Sequence, residues 1–102
     1  MDRVAQLRQF IAARPDQPFP RYALALELKG QGDAAGAARE LEALVEKLPD
    51  YLAAYLQLGM LQQEAGRVAD AKATLAAGQR LASAKGDGHT LSELTAALEQ
   101  LG

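Results

Sequence analysis

Cysteine is absent from this chain, and so is tryptophan. The first absence excludes a disulfide framework, a thiolate nucleophile and any cysteine-based metal site. A single histidine, His89, excludes a multi-histidine ligand set. β-Branched residues are scarce, with three Val, one Ile and three Thr, so strands have little to be built from. Neither sign of charge dominates, and a net charge of −2 offers no electrostatic footprint for nucleic acid or an anionic membrane. The basic residues of the N-terminal third (Arg3, Arg8, Arg14, Arg21, Lys29) are spread out and offset by Asp2, Asp16 and Glu27. No apolar run approaches the length of a membrane span, and Met1-Asp2-Arg3 leads into charged sequence rather than a signal-type apolar stretch. The expectation is a cytoplasmic protein with neither nucleic acid nor membrane among its partners.

What is present is helix-forming. Of 102 residues, 22 are Ala and 17 are Leu, both strong helix formers. Breaks divide the chain into six helical segments. The first runs from about Asp2, its cap, to Ala13 before Pro15, with an apolar stripe of Val4, Leu7 and Phe10 or Ile11. The second starts among Pro18, Phe19 and Pro20 and ends at Gly30 or Gly32. Asp33 is placed to cap the third, which Pro49 closes, and Asp50 to cap the fourth, which stops at Gly66. The fifth occupies roughly Val68 to Ala84, before the break at Gly86-Asp87-Gly88. Thr90 and Glu93 have capping-box spacing for the sixth, which carries Leu91, Leu94, Leu98 and Leu101. Helices joined by such short turns lie antiparallel to their neighbours.

A shift of 34 residues superimposes Pro15 on Pro49, Asp16 on Asp50, Leu24 on Leu58, Gly32 on Gly66, Ala37 on Ala71 and Leu41 on Leu75. These pairs fall on punctuation and on core spacing: proline ends a hairpin, glycine turns within it, and a small Ala sits where helices cross. The pattern resembles the tetratricopeptide repeat, in which W-x2-L-G-x2-Y is followed by A-x3-F and then P. The second unit reads Tyr55-x2-Leu58-Gly59-x2-Gln62, then Ala71-x3-Leu75, with Ser83 at the proline position. The first reads Arg21-x2-Leu24-Ala25-x2-Leu28, then Ala37-x3-Leu41, with Pro49 in place. The resemblance implies an all-α fold, a right-handed superhelix of antiparallel helix hairpins with six helices. It implies one domain over 1–102: an N-terminal half-repeat (1–15), two repeats (16–50 and 51–85) and a C-terminal capping helix (86–102). The Ala- and Arg-rich, Lys-poor usage suggests a bacterial source with a GC-rich genome.

No catalytic constellation emerges, and the chain is not read as an enzyme. Gly30-Gln31-Gly32 lies in a helix–helix turn, and Lys29 precedes it, which is the wrong order for a phosphate loop. Ser83 and Ser92 lack a positioned histidine partner, and His89 reads as a solvated helix-start residue. Glu40, Glu42 and Glu46 read as a solvated face of the third helix. Neither a cofactor nor a metal site is expected, since no ligand spacing appears.

The second and fourth helices are more apolar than one core face requires. In the second, Tyr22 and Leu26 add a stripe to Leu24, Ala25 and Leu28; in the fourth, Leu56 and Met60 add one to Tyr55, Leu58 and Leu61. The added stripes coincide under the 34-residue shift and are expected to form a continuous band. In the family that the chain resembles, first helices line a concave groove that holds peptides. The matching positions are Phe19, Tyr22, Leu26 and Lys29, then Ala53, Leu56, Met60 and Gln63. The implied function is protein–protein interaction or scaffolding, with a peptide or helical segment of a partner held in a mostly apolar groove. Three alternatives stand beside it: Leu26 and Met60 as core, homodimerisation through the same band, and, more remotely, a small helical-bundle enzyme. The clamp by which chaperone-tail-binding relatives hold a terminal carboxylate needs Lys, Arg and Asn. Here Tyr22, Leu26, Leu56, Gln57 and Met60 occupy those positions, which disfavours a co-chaperone role.

Overall fold

Asp2 opens the first helix by accepting a hydrogen bond from the Ala5 amide at 2.8 Å, and Asp33 opens the third in the same way from the Gly36 amide at 2.8 Å. Each thereby satisfies an amide that has no partner within its own helix. The computed structural model describes residues 2–102. Its described residues form six α-helices and no strand: α1 (Arg3–Ala13), α2 (Pro18–Gly30), α3 (Ala34–Lys47), α4 (Ala53–Glu64), α5 (Val68–Lys85) and α6 (Gly88–Gln100).

Proline and glycine end these helices by different means. α1 and α3 stop two residues short of Pro15 and Pro49, because the residue before a proline is pushed out of helical backbone. α2 and α4 end in one repeated turn. Asp33 N donates to Leu28 O, and Arg67 N to Gln62 O, both at 2.8 Å. Gly32 (φ 87°) and Gly66 (φ 80°) supply the left-handed residue that this turn needs. α5 has Ser83 where the earlier hairpins have proline, so it runs on to Lys85 and closes at Gly86 (φ 70°) with the same kind of turn.

Two helix caps differ from the sequence reading. Asp50 does not cap α4. The chain makes a turn after Pro49, with Tyr51 N donating to Leu48 O at 3.2 Å, and α4 begins at Ala53 behind Leu52 with no side-chain cap. Thr90 is not the cap of α6. Asp87 is, accepting from Thr90 N at 3.0 Å and from the Thr90 hydroxyl at 2.7 Å, while Glu93 faces His89 at 3.5 Å instead. Of the two residues that the sequence leaves open for the α1 stripe, Ile11 is half-buried and continues from Leu7, while Phe10 is 59 % exposed.

The chain divides into two compact units between Tyr51 and Leu52. In the first, α2 packs on α1 and on α3. Its buried side chains are Leu7, Leu24, Ala25, Leu28, Ala37, Ala38, Leu41 and Leu44. Arg8 on α1 reaches Glu40 on α3 at 3.2 Å, so Glu40 is a half-buried tie between helices rather than part of a solvated face. Arg21 donates from Nε and Nη2 to Pro15 O at 3.3 and 3.1 Å, fixing the α1–α2 connection. The rings of Tyr22 and Tyr51 meet at 5.3 Å, and burial raises the Tyr51 pKa above its ordinary value.

In the second unit, α5 packs on α4 and α6, and α6 also touches α4. Leu75, Ala82 and Leu94 form a buried cluster, covered by partly buried Tyr55, Leu56, Leu91 and Leu98. Two glycines permit this packing. A Cβ on Gly59 would lie 2.5 Å from Leu75 Cδ2, and one on Gly78 would lie 2.9 Å from Tyr55 Cβ and 3.0 Å from Leu94 Cδ2. Gln62 is buried with 4 % exposure and accepts a hydrogen bond from the Thr74 hydroxyl at 2.7 Å, so its carbonyl oxygen has a partner.

Candidate binding groove

Because α6 touches α4 as well as α5, the two outer faces of α4 and α6 leave a groove along the second unit. α4 contributes Leu56, Met60, Gln63 and Glu64, and α6 contributes Glu93, Ala96, Ala97 and Gln100, around a volume of about 630 Å³. The spacing explains the lining. Leu56, Met60 and Gln63 fall on one face of α4 at steps of four and three, and Glu93, Ala97 and Gln100 do the same on α6. Leu56 is half-buried and closes the floor against the Leu75–Ala82–Leu94 cluster. Met60 is 36 % exposed and stands in the groove rather than in the core. Ala96 and Ala97 keep the α6 wall low, which gives the groove its width.

The groove is mixed in character. Leu56, Met60 and the two alanines are apolar, Gln63 and Gln100 offer amides, and Glu64 and Glu93 are the charged groups of its lining. The His89 imidazole, 3.5 Å from Glu93, is 88 % exposed. Nothing in this arrangement pairs a nucleophile with a base.

Of the residues expected to meet a partner, Leu56, Met60 and Gln63 line this groove. Ala53 is exposed one turn before it on α4. On α2, Phe19 is 62 % and Leu26 38 % exposed, while Tyr22 and Lys29 are half-buried. The α6 wall is an addition to the expected contact residues, since the sequence reading takes that helix as a cap that resembles the first half of a further, displaced repeat and assigns it no contact residue. The signal for it is Leu94, which takes the place of Leu58 once a two-residue displacement is allowed for. That alignment sets Ala96 against Met60.

Comparison with known proteins bears on the family and on the helical fold. A family model described as tetratricopeptide repeat matches residues 28–91. A TPR repeat-containing protein of Pseudomonas aeruginosa is 33 % identical over 95 residues, covering 93 % of this chain and 90 % of its relative. Among solved structures, the crystal structure of a tetratricopeptide repeat domain protein from Salinibacter ruber superimposes with a TM-score of 0.80 at 40 % identity, covering 83 % of this chain and 96 % of that one. The solution structure of a Bordetella parapertussis protein gives 0.81 at 25 % identity over 99 % of this chain and 88 % of that one. With a repeat of 34 residues, paired helices turning at glycine and these similarities, the chain belongs to the tetratricopeptide-repeat family.

Proposed function

We propose that this chain is a protein-interaction module, without catalytic activity, that holds a peptide or helical segment of a partner in the α4–α6 groove. The observation that carries this reading is Met60. A thioether on a flexible stem is left more than a third exposed beside half-buried Leu56, in a concave strip with low alanine walls. Methionine in such a place adapts its shape to an apolar ligand side chain. Phe19, Tyr22, Leu26 and Lys29 on α2 are the proposed contact row of the first unit, and Ala53 extends the row on α4. The repeat boundaries 16–50 and 51–85, with half-repeats on either side, go with this reading, as does work in a bacterial cytoplasm. No described helix is long and apolar enough to cross a membrane.

The test is affinity capture from the native host with the wild-type chain and with a Met60→Ser, Ala96→Gln variant. Both positions are exposed, so helicity by circular dichroism is expected to be unchanged. Loss of the retained protein supports the groove. Full retention at unchanged helicity removes it.

A second reading, self-association, is favoured by the exposure of both phenylalanines, Phe10 at 59 % and Phe19 at 62 %. Sedimentation equilibrium of the purified chain separates the two. A monomer leaves the interaction module standing, and a dimer dissociated by Phe10→Ser and Phe19→Ser favours self-association.

A further inference from the structure

The two helices that wall the groove carry charge of one sign only. α4 has Glu64 as its sole ionised side chain, and α6 has Glu93 and Glu99 together with His89; neither contains Lys or Arg. Every lysine and arginine of the second unit (Arg67, Lys72, Arg80, Lys85) lies on α5 or in the turn leading to it. None of them lines the groove.

The backbone adds to the same sign. Gln63 and Glu64 belong to the last turn of α4, and Ala97 and Gln100 to the last turn of α6, so the groove takes in the carbonyl ends of both helices. Those ends carry negative partial charge, and a cation nearby stabilises them. α2, α3 and α5 supply their own cations there, in Lys29, Lys47 and Lys85. α4 and α6 have no basic residue in the last turn. Lys72 does reach Gly102 O at 3.5 Å, but from α5 and outside the groove lining.

We propose that the segment bound in this groove is a cationic amphipathic one: an apolar ridge that lies on Leu56 and Met60, flanked by Lys or Arg side chains that reach Glu64, Glu93 and the two helix ends. The inference rests on the groove being the seat of the partner and adds the partner's chemistry. Opposite charges across a contact raise the rate of encounter and reject acidic competitors. The imidazole beside Glu93 is almost wholly exposed, so an incoming guanidinium or ammonium displaces it at little cost.

The experiment uses the whole chain as bait for a displayed library of random peptides. Recovered peptides are sequenced, and their affinity is measured by fluorescence anisotropy against the wild type, Glu64→Gln with Glu93→Gln, and Met60→Ser with Ala96→Gln. The expected outcome is enrichment of Lys and Arg at fixed spacing from large apolar residues. Affinity should fall about 3- to 10-fold on the double glutamine change, as for two partly exposed ion pairs, and should weaken as salt is raised from about 0.05 to about 0.5 M. Binders that are neutral or acidic, or that are indifferent to the double glutamine change yet lost on Met60→Ser with Ala96→Gln, overturn the cationic partner and leave the groove standing. Binders indifferent to both variants overturn the groove and the inference with it. Binding that appears only as concentration-dependent self-association in sedimentation assigns the face to a second copy and also overturns it.

Discussion

The two units bury the same positions with different residues. Under the 34-residue shift, Leu24 and Leu58, Ala37 and Ala71, and Leu41 and Leu75 are equivalent and buried in both. Ala25, however, becomes Gly59, Leu28 becomes Gln62, and Leu44 becomes Gly78. In the second unit the space above Gly78 is taken by Tyr55 and by Leu94 of α6. The same repeat thus accommodates a different closing helix: α1 ahead of the first hairpin, α6 behind the second. A repeat specifies which positions are buried and leaves the volumes to be settled locally.

The comparison is broken most severely at the closing helices. Leu94 is the buried residue of α6 and Leu7 that of α1. α6 packs on both α5 and α4, so Leu94→Ala opens a cavity among Leu75, Ala82 and the Gly78 backbone. A loss of about 2–5 kcal/mol is expected, a large share of the stability of a domain of this size. Leu7→Ala is expected to cost less, because α1 packs chiefly on α2. Urea midpoints decide it, and equal losses would show that the two closing helices are energetically alike.

Exchange of Ala25 and Gly59 tests the volumes directly. Gly59→Ala gains helix propensity of about 1 kcal/mol but drives a methyl group into fully buried Leu75, 2.5 Å away. Overpacking of that kind costs about 1–3 kcal/mol, so the net change is expected to be a loss of about 1 kcal/mol. Ala25→Gly carries the propensity penalty with no relief and is expected to lose about 1 kcal/mol as well. A Gly59→Ala variant more stable than the wild type would mean that Leu75 yields freely.

Much of this architecture was legible in the sequence because its signals are local. Pro15, Pro49, Gly32 and Gly66 act within one turn of where they stand, and Asp2 and Asp33 each cap the helix that starts at the next residue. The groove was legible in part. Leu56 and Met60 follow from helical spacing and Gln63 from the family resemblance, but the α6 wall depends on Ser83 in the proline position, which lengthens α5 and shifts the register of everything after it. The role of Asp87 was hidden because Asp87-x-x-Thr90 and Thr90-x-x-Glu93 have equal spacing, and only the fold decides which one opens the helix. The Arg8–Glu40 tie joins helices that are adjacent in space and not in sequence, and no local signal marks it.

Gln62 and Thr74 sharpen the contrast between a polar and an apolar solution to one site. The first unit has Leu28 and Glu40 at the equivalent positions. Thr74→Val leaves the buried Gln62 oxygen without its hydrogen bond and is expected to cost about 1–2 kcal/mol. Adding Gln62→Leu removes the orphaned group, so the double variant is expected to return close to wild-type stability. The coupling in a double-mutant cycle, read from denaturation midpoints, measures the pair. Additive losses would mean that the bond contributes nothing and that Gln62 is held by packing alone.

The smallest expected effect concerns how the last helix is opened. α4 has no side-chain cap, whereas α6 has Asp87, whose carboxylate accepts from the Thr90 amide and hydroxyl. These hydrogen bonds, the amide first, hold the Asp87 pKa below its ordinary value, with a lesser contribution from His89. A carboxylate with a folded-state pKa below its unfolded value stabilises the fold fully above that unfolded value, about 3.9 for Asp. The contribution is lost as pH falls through the lower folded-state value. Asp87→Ala should therefore lower the thermal midpoint at neutral pH, and the gap between wild type and variant should narrow as the solution is acidified below about pH 4. Thermal melts of the two at neutral and strongly acid pH suffice, and a gap that stays constant across that range would show that Asp87 caps α6 as well in its neutral form as in its charged one.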